Sequence, residues 1–303
     1  MVSAPNSVVS APRAESFVRQ SVKFLQPSPF SPVPSAQSLY SPAMITLHCS
    51  PPHQSPVVFS NISAILFDKD GTLVRSEDFL RNLAQRRARL VDVQVPGVQE
   101  PLLMAFGVEG QQINPAGLMA VGSRQDNAIA AAAYVAETGR DWFEAMTIVD
   151  QAFQEADQYG SVKTANLNAK AEATPLFEAA RSLLLSLAHQ GVRLGIISGD
   201  TTANVEAFVA VSDLKDVIAL AWGADRAPAK PDPACFQAAC AALGVDPSQT
   251  LMVGDGTGDM AMGRSAGAAG CIGVTWGWSA PFSLHHADVI LTGWEQWCGA
   301  PPA

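Results

Sequence analysis

From Pro175 to Leu291 the chain alternates between strand-like and helix-like stretches. Short apolar runs at 192–197, about 217–222, 250–253, 271–274 and about 287–291 are separated by helical stretches. The helices lie at about 175–189, 201–211, 233–243 and 259–267. Strands spaced this way cannot be joined by hairpins. Each needs a crossover, and crossovers are right-handed, so the strands lie parallel with helices over both faces. An earlier run, Ile62-Ser63-Ala64-Ile65-Leu66-Phe67, has the same buried-strand composition and joins that sheet. The fold expected is α/β, a doubly wound parallel sheet of the Rossmann-like kind. In such sheets ligands sit at the carboxyl ends of the strands.

Those ends are where the polar residues cluster. Asp68, Lys69, Asp70, Gly71 and Thr72 follow the first strand, and Ser198-Gly199-Asp200 follows the second. Lys230-Pro231-Asp232-Pro233 lies between the third strand and its helix. The fourth strand runs into Gly254-Asp255-Gly256-Thr257-Gly258-Asp259. Asp68 and Asp70 are spaced i, i+2, and in extended chain such residues point to the same side. Both carboxylates are expected to converge on one site that a divalent cation can occupy. Gly71 permits the sharp turn beyond them. Each cluster alone has an ordinary reading: a turn, a serine capping a helix, a solvated lysine, a polar loop. Four at successive strand ends are poorly explained by four coincidences.

Between the first and second strands lies an insertion, 75–173, with helical periodicity. Helices are expected from Ser76, near 100–108, at 125–138 after Ser123-Arg124-Gln125, and at 141–159; residues 161–173 read as a returning linker. Residues 1–58 differ in kind. Ten of the 21 prolines lie there, and Glu15 is the sole acid before Asp68. Such a segment buries too little apolar surface to order itself. It reads as a disordered or non-native leader, with two alternatives: an organelle transit peptide, or a true start at Met44. The domains expected are the leader at 1–58, a core from 59–74 and 174–298, and a helical domain at 75–173.

The net charge of −9 argues against a nucleic-acid partner. No uninterrupted apolar run approaches the roughly 20 residues of a membrane span. Five cysteines, an odd number with no CxxC pair, read as reduced thiols of a cytoplasmic protein. Gly263-Arg264-Ser265-Ala266-Gly267 spells a serine-hydrolase elbow, but helical spacing precedes it where a strand is required. A calcium loop counted from Leu66 fails because leucine cannot ligate.

The stretch Asp68-x-Asp70-Gly71-Thr72, then Ser198, Lys230 and the GDxxxD of Asp255 and Asp259, resembles the four motifs of the haloacid dehalogenase-like hydrolases, in order and strand placement. The likeness covers about 60–293 and is nearest to phosphoglycolate phosphatase and its relatives. It implies a magnesium-dependent phosphatase for a small phosphorylated metabolite, monomeric or homodimeric. By resemblance Asp68 is the nucleophile that forms an aspartyl phosphate, and Asp70 is the general acid and then the base. Ser198, Gly199 and Thr72 contact the phosphoryl group, and Lys230 neutralises charge on it and on Asp68. Asp68, Asp70 (through its carbonyl), Asp255 and Asp259 hold Mg2+, Asp259 alternatively orienting Lys230. The insertion becomes a helical cap, on which Arg124 is a candidate contact for a substrate carboxylate or phosphate. Trp276 and Trp278 line the entrance or pack in the core. An acid at position 70 points away from dehalogenases, whose leaving group needs no proton. A β-phosphoglucomutase-like phosphomutase shares these parts. A non-catalytic binding module is the reading from a different class.

Overall fold

The computed structural model describes residues 43–52, 55–158 and 168–299. In chain order the first three strands are β1 (Ile45–Cys49), β2 (Val57–Ile62) and β3 (Ala64–Phe67). The insertion follows as α1 (Glu77–Gln94), α2 (Gln99–Phe106), a small hairpin β4 (Val108–Glu109) and β5 (Gln112–Ile113), α3 (Leu118–Val121), α4 (Arg124–Glu137) and α5 (Trp142–Gln158). After it come α6 (Asn168–Ala173), α7 (Glu178–His189), β6 (Arg193–Ile197), α8 (Thr202–Val211), β7 (Ile218–Trp222) and α9 (Pro233–Leu243). The chain continues through β8 (Thr250–Gly254), α10 (Thr257–Ala266), β9 (Gly270–Val274), β10 (Val289–Leu291) and β11 (Trp297–Gly299).

Six strands form one parallel sheet in the order β10-β9-β8-β3-β6-β7. β3 is central, and its four side chains, Ala64, Ile65, Leu66 and Phe67, are all buried. Alternation sends them to opposite faces. Ile65 and Phe67 join a cluster with Leu184 and Leu187 of α7 and Val205 and Phe208 of α8. Leu66 joins the other, with Phe236 and Ala239 of α9 and Met260 and Met262 of α10. The chain builds outward from β3 through β6 and β7, then returns to place β8 on the other side. That reversal opens a crevice at the carboxyl ends of β3 and β8.

The helices begin and end for local reasons. Asp232 caps α9 by accepting from the Ala234 N–H at 2.8 Å, with Pro233 at its first position and Gly244 left-handed beyond its end. Ser123 and Asp126 form a reciprocal capping box on α4. Helices α1, α2, α4 and α5 bury a cluster of their own, with Leu80, Leu83, Val91, Leu102, Phe106, Val135, Val149 and Phe153 at its centre. Phe106 and Phe153 meet edge to face at 6.3 Å.

Two sequence expectations need correction. The leader was bounded at residue 58, yet β1 lies inside that range and pairs antiparallel with both β2 and β11. Leu47 and Cys49 are fully buried against the sheet with Ile62 and Trp297. Ile45, Leu47 and Cys49 do alternate, but a five-residue strand among the eight residues between Pro42 and Pro51 is too short to stand out. Residues 1–42, and with them the leader or transit reading, lie outside the described residues. The second correction concerns 161–173. Its last part is the helix α6, packed on α8 beside the sheet, while residues 159–167 lie outside the described residues.

Candidate active site

The loop after β3 begins beside β8. Phe67 is in register with Val253, and the Asp68 N–H donates to the Val253 carbonyl at 2.8 Å. Asp68 therefore adjoins Asp255 across the crevice. The carboxylates of Asp68, Asp255 and Asp259 are buried and their ligand oxygens lie within 4.8 Å of one another. Lys230 Nζ reaches in from the β7–α9 connection, 2.6 Å from Asp68 Oδ1 and 2.7 Å from Asp259 Oδ1. Three carboxylates against one ammonium leave two negative charges uncompensated when all are ionised. Burial pushes the Asp255 carboxyl well above the ordinary range, helped by repulsion from Asp68 and Asp259. Burial also raises Asp259, to about 6, against the opposing pull of Lys230. Lys230 goes the other way: burial disfavours its charge, but Asp259 and Asp68 outweigh that and hold it protonated. Oxygen-only donors with a double negative deficit fit a hard divalent cation such as Mg2+.

Asp70 departs from the expected convergence. It lies beyond the end of β3, where Gly71 turns the chain with φ +79°, and its carboxylate is outside the triad. Asp70 Oδ2 accepts from Lys69 Nζ at 2.7 Å and from Lys170 Nζ at 3.4 Å. Lys170 also donates to Asp200 Oδ2 at 2.6 Å, and Lys69 lies 3.5 Å from the same oxygen. Two lysines and two aspartates thus form a partly buried alternating network beside the triad. Burial works to raise Asp70 and Asp200, yet Lys170 and Lys69 outweigh it and hold both carboxyls below their ordinary values. Asp70 Oδ1 is buried with no hydrogen-bond partner among the described residues.

The remaining expected residues divide. Ser198, at the end of β6, is buried, and its hydroxyl oxygen accepts from the Asp200 N–H at 3.2 Å. Gly199 is exposed with open space beside its Cα. Thr72 does not face outward: its hydroxyl donates to Asp255 Oδ1 at 2.7 Å in a buried contact. Arg124 is held within the helices by Asp157 at 2.8 Å and Asp150 at 3.8 Å, over the Phe153 ring. Contact with a phosphoryl group or substrate stays a proposal for both; the partners in the structure are Asp255 for Thr72 and Asp157 for Arg124. Trp278 donates its indole N–H to Asp255 Oδ2 at 2.6 Å, and Trp276 donates to the Thr72 carbonyl at 2.9 Å. Lys69, Lys170 and Asp200 were missed as site residues. Asp200 stood at a strand end and Lys69 between two candidate acids, so both carried a signal; Lys170 stood in a stretch without periodicity.

The comparison with known proteins meets this geometry directly. The model of the haloacid dehalogenase-like hydrolases matches residues 62–267. The chain belongs to the haloacid dehalogenase-like hydrolase family. The phosphoglycolate phosphatase of Yersinia pestis is 26% identical to this hydrolase over 243 residues, 78% of this chain and 91% of that one. The N-acetylmuramic acid 6-phosphate phosphatase of Pseudomonas putida is 28% identical over 208 residues, 68% of this chain and 80% of that one. The probable phosphatase IndB of Dickeya dadantii is 36% identical over 123 residues, covering 40% of this chain and 53% of its own length. Among solved structures, a predicted phosphoglycolate phosphatase from Haemophilus somnus superposes with a TM-score of 0.56 at 20% identity, covering 77% of this hydrolase and 95% of its own chain. That last likeness is one of fold. Ser265 of the rejected elbow is an exposed residue inside α10, with no strand directly before it. No helix among the described residues is long and apolar enough to cross a membrane.

Proposed function

We propose that this hydrolase is a magnesium-dependent phosphatase of small phosphorylated metabolites, 2-phosphoglycolate-like, with Asp68 as the nucleophile. The observation that carries the reading is the pairing of two acids two residues apart in different environments. Asp68 lies among the triad with one oxygen on Lys230. Asp70 sits in the lysine network with one oxygen unpartnered. Family membership and the phosphatase relatives support it.

Asp68, Asp255 and Asp259, with the Asp70 carbonyl, would hold Mg2+. When bound, the cation would supply charge neutralisation for the phosphoryl oxygens. Asp68 Oδ2, opposite the oxygen held by Lys230, attacks phosphorus in line with the ester oxygen. The P–O ester bond breaks as the Asp68–phosphorus bond forms, giving an aspartyl phosphate. Asp70 Oδ1, protonated from solvent once the negative charge of the bound phosphate ester lies beside it, gives that proton to the leaving alkoxide, then takes one from the water that hydrolyses the acyl phosphate. Phosphate leaves and Asp68 is restored. The Ser198 hydroxyl and the Gly199 N–H hold phosphoryl oxygens, while Lys230 compensates charge gathered at Asp68. Lys69 and Lys170 favour the ionised form of Asp70, which suits the base half of its cycle. Helices α1 to α5 form the cap that excludes water during the first half.

The test is hydrolysis of 2-phosphoglycolate, N-acetylmuramic acid 6-phosphate and p-nitrophenyl phosphate with Mg2+. Turnover is expected with at least one ester, lost about 10³-fold in Asp68→Asn. Absence of turnover with every ester, or full activity in Asp68→Asn, would sink the reading. Glucose 1-phosphate separates the mutase: glucose 6-phosphate as product, in place of free phosphate, marks one.

A further inference from the structure

Trp278 belongs to two structures at once. Its indole is buried in the cluster built by α1, α2, α4 and α5. Among the described residues it is that cluster's one buried member from outside residues 80–156. The same ring donates its N–H to Asp255 Oδ2 at 2.6 Å. Asp255 Oδ1 meanwhile accepts the Thr72 hydroxyl at 2.7 Å. Each carboxylate oxygen has two lone pairs, so both donors leave capacity for a cation while fixing the plane of the group.

The surrounding backbone leaves Trp278 little freedom to move alone. Gly277 lies against the Gly71 carbonyl so closely that a Cβ there would overlap it. A Cβ on Gly71 would in turn strike the Asp255 carboxylate and come within 2.7 Å of Trp278 Nε1. On one side of the loop, Trp276 is fixed to the Thr72 carbonyl and lies 4.1 Å from the Trp294 ring. On the other side, Ser279 donates its N–H and hydroxyl to Glu77, the first residue of α1, at 2.9 and 2.8 Å. Glu77 also accepts from the Ile113 N–H of the small hairpin at 3.2 Å. The loop is therefore tied to the helices by packing at residue 278 and by hydrogen bonds at residue 279. It is tied to the turn after Asp70 by the Trp276 indole and to Asp255 by the Trp278 indole.

We propose that Trp278 is a positioning residue through which the seating of the helices on the sheet sets the orientation of Asp255, and so the strength of the cation site. This rests on the assignment of Asp255 as an Mg2+ ligand. Helices drawn away from the sheet carry the indole with them, and Asp255 loses the donor that holds Oδ2. Helices seated on the sheet restore it. Cation binding and closure are coupled in this way with no substrate present.

Three measurements without substrate test the coupling. Trp278→Phe keeps an aromatic ring in the cluster and removes the N–H. Calorimetric titration is expected to show Mg2+ binding weakened about tenfold or more, the usual effect of losing such a supporting hydrogen bond. Glu77→Ala leaves Trp278 and Asp255 in place and cuts the neighbouring tie to α1; Mg2+ binding is expected to weaken several-fold. Mg2+ is expected to change the tryptophan fluorescence of the unaltered protein and of Trp142→Phe, but not of Trp278→Phe. Mg2+ affinity within twofold of the unaltered protein in both Trp278→Phe and Glu77→Ala overturns the proposal. So does an unaltered protein that binds no Mg2+. If Trp278→Phe does not fold, Glu77→Ala and the unaltered protein's fluorescence decide: unchanged affinity or no spectral response overturns it. Because no ester enters these assays, a protein that behaves as expected yet hydrolyses nothing removes the phosphatase reading alone. Turnover with unchanged Mg2+ affinity in the variants removes the coupling alone.

Discussion

Lys170 carries two acids. Its ammonium lies 2.6 Å from Asp200 and 3.4 Å from Asp70, and the Phe79 ring of α1 is 5.7 Å away. Removing one member of a partly buried ion network leaves an uncompensated charge, and that cost exceeds what the pair itself contributes. Lys170→Met is therefore expected to lower stability by roughly 1–3 kcal/mol in urea unfolding, below the full cost for a buried pair because the network is partly buried. Adding Asp200→Asn removes the stranded charge and should recover part of that loss. A double variant less stable than the single one would count against the network as described. At this scale the strand-end residues Asp68, Asp255, Asp259 and Lys230 were legible, because a parallel sheet puts its chemistry there. The contacts of Thr72 with Asp255 and of Arg124 with Asp157 were not legible. A sequence shows that a side chain is polar, and not which buried acid will claim it.

Among the elements, β1 shows how a short segment becomes structural. Ile45–Cys49 has too little apolar surface to hold itself, but Leu47 is fully buried against Phe59, Ile62 and Trp297 once β2 and β11 flank it. Leu47→Ala is expected to cost about 3 kcal/mol, the range for emptying a buried leucine site. Denaturant unfolding checks it; a loss under about 0.5 kcal/mol, the level of surface substitutions, would show that β1 is dispensable. The six parallel strands and the helices between them were readable because each is long enough to show its period and is bounded by its own caps and turns. β1 and α6 were not, since one is five residues and the other six. Elements that short are held by what they pack on.

For the molecule as a whole, the crowding of acids at the crevice makes stability depend on pH and on the cation. An acid whose folded pKa exceeds its unfolded one binds more protons in the folded state. Stability then falls as pH rises from the unfolded value through the folded one. For Asp259 that window runs from 3.8 to about 6, and Asp255 shifts in the same direction. Asp70 and Asp200 shift downward, so above about pH 5 they are ionised in both states and add no slope. In the presence of EDTA, the thermal midpoint is expected to fall by a few degrees between pH 5 and pH 7. Millimolar Mg2+ should raise the midpoint more at pH 7 than at pH 5, because ligation requires ionised carboxylates. A midpoint that climbs with pH in EDTA, or an Mg2+ effect larger at pH 5, would contradict this account.

The sequence by itself determined the parallel α/β core, the order of its strands along the chain and the residues at their ends. These follow from local period, from turn chemistry and from the handedness of crossovers. Tertiary structure alone decided that the carboxylates of Asp68 and Asp70 part company, that Lys170 joins Asp70 from 100 residues away and Asp200 from 30, and that Trp278 links the helices to Asp255. Those outcomes depend on which buried charge finds which partner when separate segments meet. The energy of such pairings depends on distance and burial, and neither exists until the chain has folded.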